Sequence, residues 1–230
     1  MNDQASARNQ HDRIEFQIDR LILFTAAVFA IAITLLAIEL KTPRLTTVTD
    51  GAALDGLLEM TPHFSGFLIS FFVIAIYWTA HHRLFRFVHY YDDRLLWLNI
   101  FFLLGIVLMP FTSGYYTEYT GLRVPYAVYA SSVLLTGLLQ VRLQRALRDP
   151  RRGYVRPADL THPDLDLARP LIPITVFAIG IGLTLLTPHS WLNRLAPILI
   201  FPLMLLYRRR YERLARQHAT VSTQIQSGDE

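Results

Sequence analysis

The stretch RLILFTAAVFAIAITLLAIEL, residues 20–40, decides the fold class of this chain. Residues 21–38 carry no charge, and a helix of that length comes close to crossing the roughly 30 Å of hydrocarbon in a bilayer. The run is too long for the core of a signal peptide, and no convincing small-residue cleavage site follows it. It therefore predicts a first transmembrane helix that the mature protein keeps.

Five further apolar runs are long enough to cross a membrane. They cover about residues 64–80, 95–111, 124–141, 171–186 and 191–207. Only residues 187–190 separate the last two runs, which predicts an antiparallel hairpin, whereas a polar loop is expected around residues 43–55. Hydrophobic residues make up 52% of the chain, and its charges fall in short blocks between the runs. This pattern favours an all-α membrane protein with six transmembrane helices over a soluble helical bundle.

The basic residues set the expected orientation, because lysine and arginine near span ends are retained on the cytoplasmic side. With the N-terminus inside, only Lys41, Arg44, Arg123 and Arg194 of the 22 basic residues lie outside. This bias predicts a multi-pass protein of the inner (plasma) membrane with both termini in the cytoplasm. We expect a cytoplasmic segment at 1–19, a transmembrane domain at 20–210 and a cytoplasmic tail at 211–230.

Several classes of function lack the residues that they need. The chain has no cysteine, which excludes disulfides, thiol chemistry and cysteine-ligated zinc. The adjacent His81 and His82 would point about 100° apart on a helix, and no further ligand stands at a suitable spacing. A nucleophile elbow is also missing, so we expect no enzyme, no metal site and no cofactor. The arginines mark topology, and no nucleic-acid partner is expected.

Helix one carries an apolar stripe with a hydroxyl beside it. Five residues share one side at helical spacing: Phe24, Val28, Ile31, Leu35 and Ile38. Thr34 lies beside this stripe, and the alanines of the helix would let neighbouring helices approach closely. The stripe suits a pore lining and ordinary helix packing alike, because every buried membrane helix has such a face.

Polar residues collect near the predicted inner ends of helices two and three. Residues 77–85 read YWTAHHRLF, residues 95–99 read LLWLN, and Arg20 lies near the same face. An arginine, a histidine and an asparagine at that depth need hydrogen-bond partners, and they can satisfy one another in one layer. Contact with lipid headgroups by snorkelling is the alternative, and the sequence leaves both open.

Taken in order, these motifs resemble helices one to three of the bacterial transmembrane-protein-175 potassium channels. The family's first helix carries an arginine, three residues and then Phe-Ser-Asp. Arg20 and Phe24 match that pattern, whereas Thr25 stands for the serine and Ala26 for the aspartate. The continuation VFAIAITLL at residues 28–36 also matches, and the six-span layout extends the resemblance from the first half to the whole chain.

The resemblance implies a homotetramer in which helix one of each subunit lines a potassium pore without a glycine-rich carbonyl filter. Ile31 would form the main constriction, Leu35 and Ile38 would lie further along it, and Thr34 would supply a hydroxyl ring that favours potassium. The implied pore-helix support consists of Arg20, Phe24, Thr25, Trp78, His81 and Asn99. Ala26 removes a partner of Arg20, so either Asp19, Asp92 or Asp93 replaces it, or the layer depends on Asn99 and backbone groups.

The resulting expectation is a passive, weakly potassium-selective cation channel whose partners are further copies of itself, membrane lipids and permeant potassium ions. The alternative is a proton-coupled or proton-conducting membrane transporter. A transporter would be expected to carry a carboxylate or histidine near mid-membrane. Glu39 lies near the outer end of its span and His81 near the inner end, which favours the channel.

Overall fold

The computed structural model describes residues 2–186, 199–200, 202–208, 210–213 and 215–216. Residues 2–186 form six α-helices joined by connections that contain short 3-10 turns. The helices are α1 (Asn2–Ile38), α2 (Asp50–Glu59), α3 (Thr61–Phe85), α4 (Asp93–Glu118), α5 (Arg123–Leu147) and α6 (Ala168–Leu186). Residues 202–208 and 210–213 are also helical.

Five of the predicted spans are confirmed as helices of sufficient length and apolarity to cross a membrane. They are contained in α1, α3, α4, α5 and α6. Most of the predicted sixth span, residues 191–207, lies outside the described residues. The protein is therefore a multi-pass, all-helical membrane protein. The observed helices are longer than the predicted runs because hydropathy marks only the hydrocarbon-facing part, whereas helices continue into the polar boundary.

Helix α2 is a difference from the sequence prediction, which places a polar loop there. Thr49 caps the helix by accepting a hydrogen bond from the Ala52 N–H at 3.3 Å. Gly56 packs closely against Pro43 of the preceding segment, which leaves no room for a larger side chain without a shift. A side-chain cap and one packed face are enough to make ten residues helical without a hydropathy signal.

The spanning helices pack against one another in the order of the sequence, and α1 also lies against the middle helices of the bundle. Helix α1 contacts both α3 and α4, α4 contacts α5, and α5 contacts α6. Buried hydroxyl groups join these helices, since Ser70 on α3 lies 2.6 Å from Ser113 on α4 and donates to Tyr129 on α5. Hydrogen bonds of this kind stabilise helix pairs in lipid, where water offers no alternative partner.

Two connections meet at one end of the bundle and form a shared cap. Val88 in the α3–α4 connection pairs with Val155 in the α5–α6 connection, and the His89 N–H donates to the Tyr154 carbonyl at 3.1 Å. Asp164 is almost fully buried and forms an ion pair with Arg86. The distribution of arginines predicts both connections on the cytoplasmic side, and the structure places them together.

Asp92 joins the cap to the start of α4. Its carboxylate accepts a hydrogen bond from the Tyr154 hydroxyl at 2.6 Å and another from the Leu95 N–H at 2.9 Å. Burial raises the pKa of the Asp92 carboxyl, but these hydrogen bonds and the nearby Arg152 charge outweigh burial and hold that pKa below its ordinary value. The bonds therefore stabilise the fold above the ordinary aspartate pKa, and this stabilisation is lost as the pH falls through the folded-state value.

Substitution Tyr154→Phe tests this junction. We expect it to lower the free energy of unfolding by about 2 kcal/mol near neutral pH, because a charged acceptor loses a buried donor. The difference from wild type should shrink as the pH falls below the ordinary pKa of an aspartate. Thermal unfolding in detergent across a pH series measures both effects.

Tyr90→Phe is the matched control, because the Tyr90 ring stacks on Tyr154 at 6.2 Å but its hydroxyl has no hydrogen bond within the described residues. Its effect should stay within about 0.5 kcal/mol. Equal losses in the two variants, or a loss in Tyr154→Phe that does not change with pH, would contradict the assignment.

Candidate functional site

One face of helix α1 is buried against the rest of the chain, and the opposite face is exposed. The inner face consists of side chains three or four residues apart that are almost fully buried: Ile18, Leu21, Thr25, Phe29, Ala32 and Leu36. This spacing keeps them on one side of a helix. They pack against α3 and α4, and they hold α1 in a fixed rotation about its axis.

The predicted stripe occupies the other side of α1. Phe24, Ile31 and Ile38 are 54%, 58% and 70% exposed, Leu35 is also exposed, and Val28 is half-buried. Thr34 is exposed as well, and its hydroxyl donates to the Ile31 carbonyl at 2.8 Å. The threonine oxygen keeps its own lone pairs free, so it remains available as an acceptor on this side.

Three polar side chains of the predicted support form one buried hydrogen-bonded chain. Asn99 on α4 donates from Nδ2 to the Thr25 hydroxyl on α1 at 2.9 Å. Its Oδ1 lies 2.7 Å from His81 Nε2 on α3, a contact that places the histidine proton on Nε2. The exposed fractions are 2% for Thr25, 3% for His81 and 0% for Asn99. One amide thus links three helices.

Aromatic rings enclose the His81 imidazole, and the sequence pattern alone does not single them out. Phe85 and Phe102 stack on it with centroids 4.0 and 5.4 Å away, and Phe29 of α1 lies at 6.1 Å. Helical spacing is the signal that points to two of these rings, because Phe85 follows His81 by four residues and Phe102 follows Asn99 by three. The rings exclude water, which makes the Asn99 bond the main polar contact of the histidine.

The other three predicted support residues lie outside this hydrogen-bonded chain. The Arg20 guanidinium lies 5.9 Å above the Phe16 ring and forms no ion pair with Asp19, Asp92 or Asp93 among the described residues. Trp78 is 41% exposed and stacks on the neighbouring His82 at 5.6 Å. Phe24 belongs to the exposed stripe. Arg20, Phe24 and Trp78 are thus surface residues of the isolated chain.

Acidic and histidine side chains do not gather into a metal site in the described ranges, where no group of three such residues lies close enough to hold an ion. Glu39, which directly follows α1, instead packs against Gly114 of α4. The candidate site is therefore an exposed apolar surface of α1 that carries one hydroxyl group. The buried hydrogen bonds of Thr25, Asn99 and His81 hold this surface in position.

Comparison with known proteins places this geometry in a family. The family model described as the endosomal/lysosomal potassium channel TMEM175 matches residues 20–110, which include the whole polar chain. A potassium channel of Chamaesiphon minutus is 33% identical over 143 residues, covering 61% of this chain and 70% of that protein. A protein of Gallus gallus named as an endosomal/lysosomal proton channel is 32% identical over 76 residues, 32% of this chain and 15% of that protein.

Comparison of three-dimensional structures also identifies a channel of this family. A crystal structure of a lysosomal potassium-selective channel TMEM175 homologue from Chamaesiphon minutus superposes with a TM-score of 0.68 at 26% sequence identity. The superposition covers 85% of this chain and 98% of the other. The likeness therefore extends over nearly the entire subunit of a solved channel.

The two adjacent histidines provide a matched test of the buried polar chain. We expect His81→Ala to lower the free energy of unfolding by about 3 kcal/mol, because it leaves a cavity between aromatic rings and removes a partner of Asn99. Substitution of the exposed His82 by alanine should lower the free energy of unfolding by less than about 1 kcal/mol. Denaturant unfolding of the purified protein distinguishes the two, and similar losses would show that Asn99 does not depend on His81.

Proposed function

This chain belongs to the TMEM175 family of channels, and from that premise we propose that it is one subunit of a passive potassium channel whose pore is lined by α1. The observation that carries the proposal is the one-sided packing of α1. Its inner face binds α3 and α4, while Phe24, Ile31, Leu35 and Ile38 of the opposite stripe remain exposed. Copies of α1 arranged around an axis would bring these stripes together.

The pore residues follow from that arrangement. Ile31 lies near the middle of the exposed stripe, and a ring of its side chains would form the narrowest apolar constriction, with Leu35 and Ile38 continuing it. Apolar rings of this size gate conduction by excluding water. Thr34 would add a ring of hydroxyl oxygens that replace part of the hydration shell of an ion. Because such a ring offers few oxygens, we propose weak selectivity for potassium.

The buried polar chain would act on the pore through α1. Thr25 can meet Asn99 only in one rotation of the helix, and that rotation turns Ile31 and Ile38 outward. Phe24, Arg20 and Trp78, which are exposed in one chain, would lie at contacts between copies. We propose a homotetramer in the inner (plasma) membrane with both termini in the cytoplasm, which agrees with the distribution of basic residues.

Proton conduction is a second candidate, because a vertebrate relative is named as a proton channel. The match covers only 15% of that protein, so the same flux experiment should record protons beside potassium. Proton flux that persists when potassium flux is lost would favour this candidate.

Potassium flux from liposomes tests the pore assignment. We expect Ile31→Ala to raise the flux, because a smaller ring relieves the dewetted constriction. Thr34→Ala should bring the preference for potassium over sodium towards the ratio of the two ions' mobilities in water. Leu104→Ala is the control, since Leu104 is an exposed leucine of α4 that lies outside the proposed pore. Flux unchanged in Ile31→Ala would place the constriction elsewhere.

The absence of native cysteine makes the assembly testable by disulfide formation. In Ile38→Cys, thiols on neighbouring copies of α1 would approach one another near the axis, and we expect mild oxidation in membranes to give covalent dimers. Leu185→Cys places a thiol on α6, on a residue that is 76% exposed, and should stay monomeric under the same conditions. Native mass spectrometry should give four times the 26.4 kDa of one chain. Efficient cross-linking only through position 185 would contradict a central α1.

A further inference from the structure

A cavity of about 480 Å³ lies at the inner end of the bundle, away from the exposed stripe of α1. Its walls come from residues 18–22 of α1, from the end of α3 and the α3–α4 connection, and from the α5–α6 connection. Isoleucines of α1 and residues of the segment 85–88 give it an apolar lining, and charged or polar groups complete it. Its volume is within the usual range of small-molecule sites, roughly 300–1,000 Å³.

The walls are held in place by contacts of their own. The pairing of Val88 with Val155 joins the two connections, and the backbone N–H of His89 donates to the Tyr154 carbonyl. Arg86, which lines the cavity, is anchored by its ion pair with Asp164. A site with fixed walls binds without the cost of ordering a loop.

Positively and negatively charged side chains line this cavity without forming ion pairs with one another. Arg156, Asp19 and Asp159 form no ion pair within the described part of the chain. His89 completes the polar part of the lining. The carboxylates indicate that any ligand carries positive as well as negative charge.

We propose that this cavity binds a phosphoethanolamine group, that is, a phosphate ester joined through two carbons to a primary ammonium. The guanidinium of Arg156 and the ring of His89 match the phosphate, since arginine binds phosphate oxygens in a planar, bidentate manner. The carboxylates of Asp19 and Asp159 match the ammonium, which donates three hydrogen bonds. The apolar wall accepts the carbon chain. Binding does not depend on α1 lining a pore.

The depth of the cavity suits a lipid headgroup. Asp19 directly precedes Arg20 and the uncharged stretch of α1, and Phe85 is the last residue of α3, so the cavity lies at the end of the hydrocarbon region. The same chemistry occurs in a free phosphate ester, and the experiment therefore includes both sources.

Thermal unfolding of the full-length protein in mixed micelles tests the proposal. The probes are phosphatidylethanolamine, phosphatidylcholine, phosphatidylglycerol and free phosphoethanolamine. We expect stabilisation by phosphatidylethanolamine, and weaker effects of phosphatidylcholine, whose nitrogen cannot donate a hydrogen bond, and of phosphatidylglycerol, which has no nitrogen. Stabilisation by the free probe as well would identify a headgroup site open to the cytoplasm, and its absence would identify a lipid site.

The variants Arg156→Gln and Asp159→Asn should each weaken the apparent affinity for phosphatidylethanolamine roughly tenfold, as the loss of one charge-assisted hydrogen bond requires. Arg151→Gln is the matched control, because Arg151 is exposed on the same connection and does not line the cavity. Wild-type elution volumes on size exclusion are the criterion that all three variants are folded. Equal stabilisation by phosphatidylcholine, wild-type affinity in Arg156→Gln, or no stabilisation by any probe would overturn the proposal.

Discussion

The hydrogen bonds of one buried amide determine how this bundle presents its first helix. Asn99 binds Thr25 on α1 and His81 on α3 from its own position on α4. In hydrocarbon no water is available to replace a lost hydrogen-bond partner of the amide, so breaking either bond is unfavourable. Apolar packing alone would allow α1 to rotate by small steps, because its inner and outer faces are both apolar. The directional bond removes that freedom.

A fixed rotation of α1 explains why its two faces differ so much in burial. The inner stripe fits between α3 and α4, and Phe29 reaches the aromatic group around His81. What remains on the other side is an isoleucine-rich surface with one hydroxyl, which a single chain leaves uncovered. Lipid would cover the apolar side chains of this surface, and the Thr34 hydroxyl already donates to the Ile31 carbonyl. In the proposed pore, a water-containing axis between several copies would also supply donors to the free lone pairs of the Thr34 oxygen.

The sequence predicts those features that depend on local pattern and misses those that depend on distant pairing. Hydropathy identifies five spans because about twenty consecutive apolar residues are rare outside membrane helices. The polar chain is predictable through the family resemblance and through the depth shared by His81 and Asn99. Helix α2 is missed because a capped helix in a polar segment leaves no hydropathy signal. The cap formed by the α3–α4 and α5–α6 connections is missed because its contacts, such as Arg86 with Asp164, join residues 78 positions apart.

The alanine at position 26 changes the charge balance of the proposed assembly. Arg20 precedes Ile31 by eleven residues, which is close to three helical turns, and therefore lies on the same side of α1 as the proposed constriction. Uncompensated guanidinium groups around one axis would repel cations from the inner entrance. A carboxylate close to each Arg20 would reduce this repulsion. Asp92 is already engaged by Tyr154 and by the Leu95 N–H, and within one chain neither Asp19 nor Asp93 pairs with Arg20. In the proposed assembly, a carboxylate of a neighbouring copy would then take the role of the aspartate that the family motif carries at the position of Ala26.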